Sequence, residues 1–525
     1  MLRFSLKLGL LAAACIPVPA AQAQQLPPPI AVHARANPIV ADGSLYSADP
    51  APVVDGDTFY VLTGRDQARR DQAEFVMHEW VLLSTTDPAS GNWTLTPHFL
   101  RPSQLFAWAT DAAAWGAQIV QGADGRFYLY APVEQRDCSD RDCMGIGVAV
   151  ADHPRGPWRD WHPEGPILSQ RLPAPNDIQN IDPTVAVGPD GAATIYWGTF
   201  GKLRGARLAA DMKTVGAPVE VTTLTGFFEA PWLFERKGTW YMVYAANHAG
   251  PNSACTRAIY HACQAYGTAP TPLGPWTYRG VILDPISSTT SHQGMVPFKG
   301  QWWMAYHTAD AKLGGHFRRS VAIDRVEWDD SVSPAAIRKV AATRAPAARP
   351  PTANVARLAH PTAFNVPIPL QYRLAALNDG VVHPAPLPPD MWGSWNGRGD
   401  VAQGWVQYRW DTPVTIDGVR VKFWGDRPAG SGEGVAPPRG WHLEVGEGGR
   451  WRRLSTPAVP AARTNAPVAL RFRAVTTRCL RLVLDASTDG KTYAAFGIEE
   501  WEVLSPKRVV APATPPAPAA SARCD

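Results

Sequence analysis

"VDGDTFYVLTG", residues 54–64, runs an Asp-Gly turn into aromatic and β-branched residues, the local signature of a hairpin feeding a strand. Alone it specifies one hairpin. The pattern returns as "ADGRFYLYAPV" (123–133), "PDGAATIYWGT" (189–199), "ERKGTWYMVYA" (235–245) and "FKGQWWMAYHT" (298–308). The turn glycines, Gly56, Gly125, Gly191, Gly238 and Gly300, lie 69, 66, 47 and 62 residues apart, so each interval has room for about four short strands. Between them come further strand-like runs, "EFVMHEWVLLST" and "IGVAVA", with almost no sustained 3.6-residue apolar periodicity. The repeat therefore predicts an all-β fold with a five-bladed β-propeller over residues 30–334.

Outside the repeat the composition changes. Residues 335–354 are rich in Ala, Pro and Arg and read as a linker. Strand signals resume over 355–504 and predict a second domain, a β-sandwich. The Pro/Ala-rich stretch 505–525 reads as a disordered tail. At the other end, Arg3 and Lys7, an apolar run from Leu8 to Ile16 and Ala21-Gln22-Ala23 read as a signal peptide over residues 1–23. Its apolar run is too short to span a bilayer, so an exported protein is expected, periplasmic or extracellular, with no membrane span. Without that segment 48 Lys+Arg face 46 Asp+Glu, and no basic stripe recommends a nucleic-acid partner. Cys138 with Cys143, and Cys255 with Cys263, are spaced as local disulfides, while Cys479 and Cys524 have no obvious partner.

In a propeller the innermost strands of all blades meet at one axis, so site residues should recur at similar offsets before each turn. Reading back seven to ten residues from the five glycines gives Asp49, Trp115, Asp182, Glu229 and His292. "SADPAPVV" around Asp49 and "NIDPTVAV" around Asp182 share a carboxylate before proline, and "FFEAPWLF" sets Glu229 among Phe227, Phe228 and Trp232. A single Asp-Pro is most simply a turn before a strand. Three carboxylates in register, in apolar company, are instead the equipment of glycoside hydrolysis: a protonated acid, an ionised base and aromatic surfaces for a sugar.

The stretches "YSADPAPVV", "NIDPTVAV", "FFEAPWLF" and "HQGMVPFKGQWWMAYH" resemble the motifs of glycoside hydrolase family 43, five-bladed propeller enzymes that invert the anomeric centre. The resemblance covers about Asn37 to Trp328. It implies Asp49 as general base, Glu229 as general acid and Asp182 as the carboxylate that tunes and orients the acid. It also implies Arg319 as a substrate contact, with Arg318 the adjacent alternative. Trp115, Trp232 and His292 are the further candidate substrate-binding residues. No cofactor is implied as required; a structural Ca2+, held mostly through water by His292, is the one metal the resemblance admits. Bottom-up, apolar neighbours should raise the Glu229 pKa, and Asp49 beside small residues can stay hydrated and ionised. His292 reads equally as a buried histidine bonded to the channel wall, and Arg319 as a surface ion pair with Asp324. An inverting pair should hold its carboxyl groups roughly 6.5 to 9.5 Å apart.

The start of the second domain, "LAALNDGVVHPAP" through "TIDGVRVKFWGD", resembles a discoidin-like, galactose-binding jelly roll. That implies a sugar-binding module with Trp392, Trp395 or Trp424 as stacking residues; packing that only stabilises the propeller is the alternative. Together these readings predict a secreted inverting glycosidase that releases α-L-arabinofuranosyl units from plant cell-wall polysaccharides or oligosaccharides such as arabinan and arabinoxylan. A β-D-xylosidase with the same residues, and a carbohydrate-binding propeller without catalysis, are the alternatives.

Overall fold

The structure, a computed structural model, describes residues 26–34, 36–247, 255, 262–287, 289–344, 352–367, 371–383, 386–396, 401–427, 434–464, 466–509 and 516. The expected signal peptide, most of the predicted tail and Cys524 lie outside these residues. Among them the only α-helix is the single turn Pro102–Leu105.

Each of the five sequence repeats is the hairpin between the first and second strands of a blade. The first strands are Tyr46–Asp55, Gln118–Gln121, Thr184–Val187, Phe227–Arg236 and Gln293–Phe298, and neighbouring ones touch in a closed circle around the axis. The turn glycines have φ between 53° and 82°, a region open to residues without a Cβ. At Lys237-Gly238 and Lys299-Gly300 both central residues are left-handed, which matches the twist of the flanking strands.

The middles of the second strands are mostly apolar because both of their faces are buried. Phe59 and Val61 pack with Phe298 and Trp303 of the last blade, whereas Tyr60 and Leu62 pack with Phe127 and Leu129 of the next. The same double-sided contact repeats at the other three junctions. Each buried large side chain contributes on the order of 1.5–3 kcal/mol, so the aromatic repeat is the adhesive between blades. Buried tyrosine hydroxyls reach across it: Tyr130 donates to Met212 O at 2.7 Å and Tyr196 to Pro272 O at 2.9 Å.

The ring is closed by a short segment rather than a regular strand. The last blade has three strands, and residues 37–39 run along its outer one, where Ile39 N donates to Val321 O at 2.8 Å. The Asn37 amide completes the match, accepting from Ile323 N at 2.9 Å and donating to Ile323 O at 2.8 Å.

The strands of the C-terminal domain form one eight-stranded hydrogen-bonded sheet. Its long strands Gln403–Phe423 and Pro467–Asp485 are offset at register shifts after Arg409 and Ile416, and the sheet encloses a core that includes Trp392, Trp410, Trp441 and Trp501. Two predicted boundaries shift. Ala336–Ile337, assigned to the linker, pairs back onto Trp328–Asp329 of the propeller. The final strand Gly497–Val509 continues past Leu504 into the predicted tail, because its backbone pairs with Thr352 and Asn354 although its side chains there carry no apolar pattern. Both local disulfides are formed, Cys138–Cys143 and Cys255–Cys263, and Cys479 is disulfide-bonded as well.

Replacing Asn37 by Ala leaves the Ile323 amide and carbonyl without their partners. A loss of about 2 kcal/mol is expected in denaturant unfolding.

Candidate active site

The circle of first strands carries the predicted carboxylates to one mouth of the channel, and the backbone is distorted where it does so. Asp49 and Asp182 are left-handed, at φ 54° and 52°, and so is Ala230 at 54°. All three precede a proline, a context that ordinarily selects extended backbone. Left-handed non-glycine residues cost on the order of 1–3 kcal/mol and persist where the surrounding structure imposes them. At Asp49 and Glu229 the ladder also slips: pairing breaks between Ala48 and Ala51, and on both sides of Glu229. A bulge bends a strand and re-aims a side chain, which is how residues inside continuous strands come to point into the channel. The sequence alignment of offsets is refined by one residue, since Ala230, rather than Glu229, holds the position equivalent to Asp49 and Asp182.

Arg319 organises the floor. It is 3% exposed, and its guanidinium bridges two carboxylates: Nη1 donates to Asp49 Oδ1 at 2.9 Å, and Nε and Nη2 donate to the two oxygens of Asp66 at 2.9 Å each. The Phe75 ring lies against it, with Cζ 4.6 Å from the centroid. His307 braces the other side of Asp49. Its Nε2 donates to Thr290 O at 2.8 Å, so Nδ1 accepts from the Asp49 amide at 3.2 Å.

These neighbours separate the protonation behaviour of the carboxylates. Burial by itself would raise the Asp49 pKa, but the Arg319 charge, helped by His307 and His292, outweighs it and holds the carboxyl well below the usual range. Asp49 is thus ionised although only 8% exposed, which corrects the expectation of a hydrated carboxylate: an ion pair, and not water, keeps its charge. Glu229 behaves oppositely. Burial pushes it up to about 7, with the hydrogen bond from Thr199 Oγ1 to Oε2 at 2.9 Å pulling down and the Asp49 charge pushing up. Asp182 is also raised well above the ordinary value, by burial and by the charges of Glu229 and Asp49. Its Oδ2 accepts from Ala230 N at 3.1 Å, so it holds the backbone immediately after Glu229.

The carboxylates line a cavity of about 160 Å³ with Trp115, Thr199, Phe200, His292 and Arg319 among its walls. A larger cleft, about 720 Å³, lies at the ring closure between His33, Trp93, Trp303 and Lys339 and contains none of these residues. Gly116 leaves space between three of these side chains. A Cβ there would stand 2.5 Å from His292 Cε1, 3.0 Å from Asp182 Oδ1 and 3.3 Å from Asp49 Cβ.

Of the candidates read from sequence, Asp49, Trp115, Asp182, Glu229, His292 and Arg319 are brought together. Trp232 is not. It is 4% exposed, packs between the last two blades and donates Nε1 to Met295 O at 2.8 Å, on the face of the strand opposite Glu229 as an odd separation of three residues places it. Trp392 and Trp424 are likewise buried in the second domain. Arg319 makes no surface pair with Asp324, which instead accepts from Tyr306 Oη at 2.6 Å and Thr343 Oγ1 at 2.7 Å; Arg318 donates to Leu313 O and Arg69 O. His292 places Nδ1 3.5 Å from Asp49 Oδ1, and burial lowers its pKa to about 4.

The residues around His292 do not fit a directly bound calcium ion. Among the described residues no three His, Cys, Asp or Glu side chains gather as a metal-binding group, and a lone imidazole nitrogen suits calcium poorly. Asp66, His307, Thr199 and Gly116 escaped the sequence reading. His307 sits inside the quoted "WWMAYHT", and a charged residue ending an apolar strand, as in "YVLTGRD", was the available sign of Asp66.

The sequence model of glycosyl hydrolases family 43 matches residues 36–333. Over 333 residues the chain is 27% identical to a xylosidase/arabinosidase of Bacteroides ovatus, covering 54% of this chain and 92% of that protein. Over 350 residues it is 27% identical to xylosidase/arabinosidase 43A of Humicola insolens, covering 54% and 95%. A solved α-L-arabinofuranosidase of Clostridium thermocellum is similar at 27% identity and a TM-score of 0.45, covering 56% of this chain and 93% of that one.

Adding one methyl group at Gly116 should displace His292 and crowd both aspartates. Gly116→Ala is expected to lower kcat/KM at least tenfold with little change in unfolding midpoint, as steady-state kinetics and thermal melting will show.

Proposed function

The chain belongs to glycosyl hydrolases family 43 and is a glycoside hydrolase, and we propose that it releases α-L-arabinofuranosyl residues from plant cell-wall arabinan or arabinoxylan with inversion. The single observation that carries the assignment of roles is the opposed shift of two carboxylates in one cavity: Asp49 held ionised by Arg319, Glu229 raised by burial to about 7. Asp49 takes a proton from the water that attacks the anomeric carbon. Glu229 gives its proton to the departing glycosidic oxygen, and the two exchange protons with solvent before the next turnover. Asp182 steers Glu229 through the Ala230 amide. Trp115 and His292 wall the sugar site.

The sugar class is supported by the names of relatives, among them the xylosidase/arabinosidases and an arabinoxylan arabinofuranohydrolase of Bacillus subtilis. A β-D-xylosidase using the same residues is the second reading, favoured by a β-xylosidase of Xylanibacter ruminicola that is 27% identical over 257 residues. Export follows in this proposal from the leader-like residues 1–23. The C-terminal sheet is proposed as a discoidin-like accessory module. Of its three candidate stacking residues only Trp395 is outside the core centre, half-buried beside Trp424.

Paired nitrophenyl α-L-arabinofuranoside and β-D-xylopyranoside assays decide the sugar, and NMR of the first-formed anomer decides the stereochemistry. Asp49→Asn and Glu229→Gln should each lose about 10²–10⁴ in kcat/KM, Glu229→Gln losing less on nitrophenyl substrates than on disaccharides, whose leaving groups need the proton more. Full activity in either variant contradicts its role. Loss of the Thr199 hydroxyl removes a bond that favours ionised Glu229, so the alkaline limb of the kcat/KM profile, near pH 7 in the parent, should move to higher pH in Thr199→Val.

A further inference from the structure

We propose that Phe200 is the stacking platform for the sugar on the leaving-group side of the cleaved bond, an inference that rests on the glycosidase reading above. Phe200 is 65% exposed, yet it lines the catalytic cavity. A lone exposed apolar residue elsewhere on a surface needs no account; one at the mouth of a sugar-cleaving cavity does.

The order of depth fixes which side of the bond it serves. Asp49 and Arg319 form the closed floor, 8% and 3% exposed. Glu229 stands above them, half-buried, and Thr199 Oγ1 holds its Oε2 at 2.9 Å. Phe200 follows Thr199 directly and is the most open of the set. In an inverting displacement the water arrives beside the base and the leaving group departs beside the acid. The sugar leaving past Glu229 therefore passes Phe200.

The ring is also held in place. Phe200 is left-handed, at φ 52°, between Gly198 and Gly201 at 131° and 79°. Gly198 N donates to Ile181 O at 2.9 Å, Gly201 N to Phe228 O at 3.1 Å, and Lys202 N to Thr199 O at 3.1 Å. Lys202 is paired with Asp177. The Phe200 ring meets Phe228 edge-on, with centroids 5.6 Å apart and planes at 84°. A rigid aromatic surface loses little side-chain freedom when an apolar sugar face lies on it. The ligand class is a pyranose ring, such as a xylosyl unit of a main chain, joined through the bond to be broken.

The test compares two substrates of the preferred sugar: its methyl glycoside, whose leaving group has no ring, and the disaccharide that links it to xylopyranose. In Phe200→Ala the ratio of disaccharide to methyl-glycoside kcat/KM should fall about tenfold, mainly through KM. Phe200→Trp should restore the ratio. An unchanged ratio in Phe200→Ala, or an equal loss on both substrates, overturns the proposal while leaving the glycosidase reading intact. Failure of the parent enzyme on both substrates contradicts that reading, and this inference with it.

Discussion

One buried cation holds the site together. Arg319 reaches Asp49 and Asp66 at once, from the residue just before the third strand of the last blade to two strands of the first, and so joins the ends of the ring at the point where the chemistry is expected. Taking such charges out of water is costly unless each is matched, and here the fork of the guanidinium matches both. Remove it and Asp49 is a buried carboxylate facing Asp182 and Glu229, with burial and like charge both favouring protonation. The proposed base would then resemble the proposed acid, and the division of labour between them would go.

The propeller explains why this arrangement can be built from residues 270 positions apart, as Asp49 and Arg319 are. Blades are glued by aromatic second strands, which leaves the first strands free to carry polar side chains at the channel mouth. That freedom has a cost in backbone conformation: Asp49, Asp182 and Ala230 are all left-handed before proline. These three lie where a carboxylate is turned inward, and the blade contacts supply the stability that tolerates them.

Much of this was legible in the sequence because it repeats. Five turn glycines with aromatic strands define the blades, and Asp49, Asp182 and Glu229 stand out as polar residues where the pattern wants apolar ones. The partners were hidden for the converse reason. Asp66 and His307 lie in second strands, where one polar residue near a strand end looks like ordinary surface, and only the closure of the ring brings them under the channel beside Arg319. Trp232 shows the limit of linear proximity: three residues from Glu229 in the same strand, it faces the opposite way, as side chains an odd number apart do along a strand. Gly116 had no sequence signal, since its contribution is the space that a side chain would fill.

The central claim is that Arg319 keeps Asp49 ionised. The acidic limb of the kcat/KM profile measures this directly when the parent is compared with Arg319→Lys, which retains a charge but lacks the fork that reaches both aspartates. The account predicts that the limb moves to higher pH in the variant while the alkaline limb stays near 7. An acidic limb at the same pH in both proteins would contradict it.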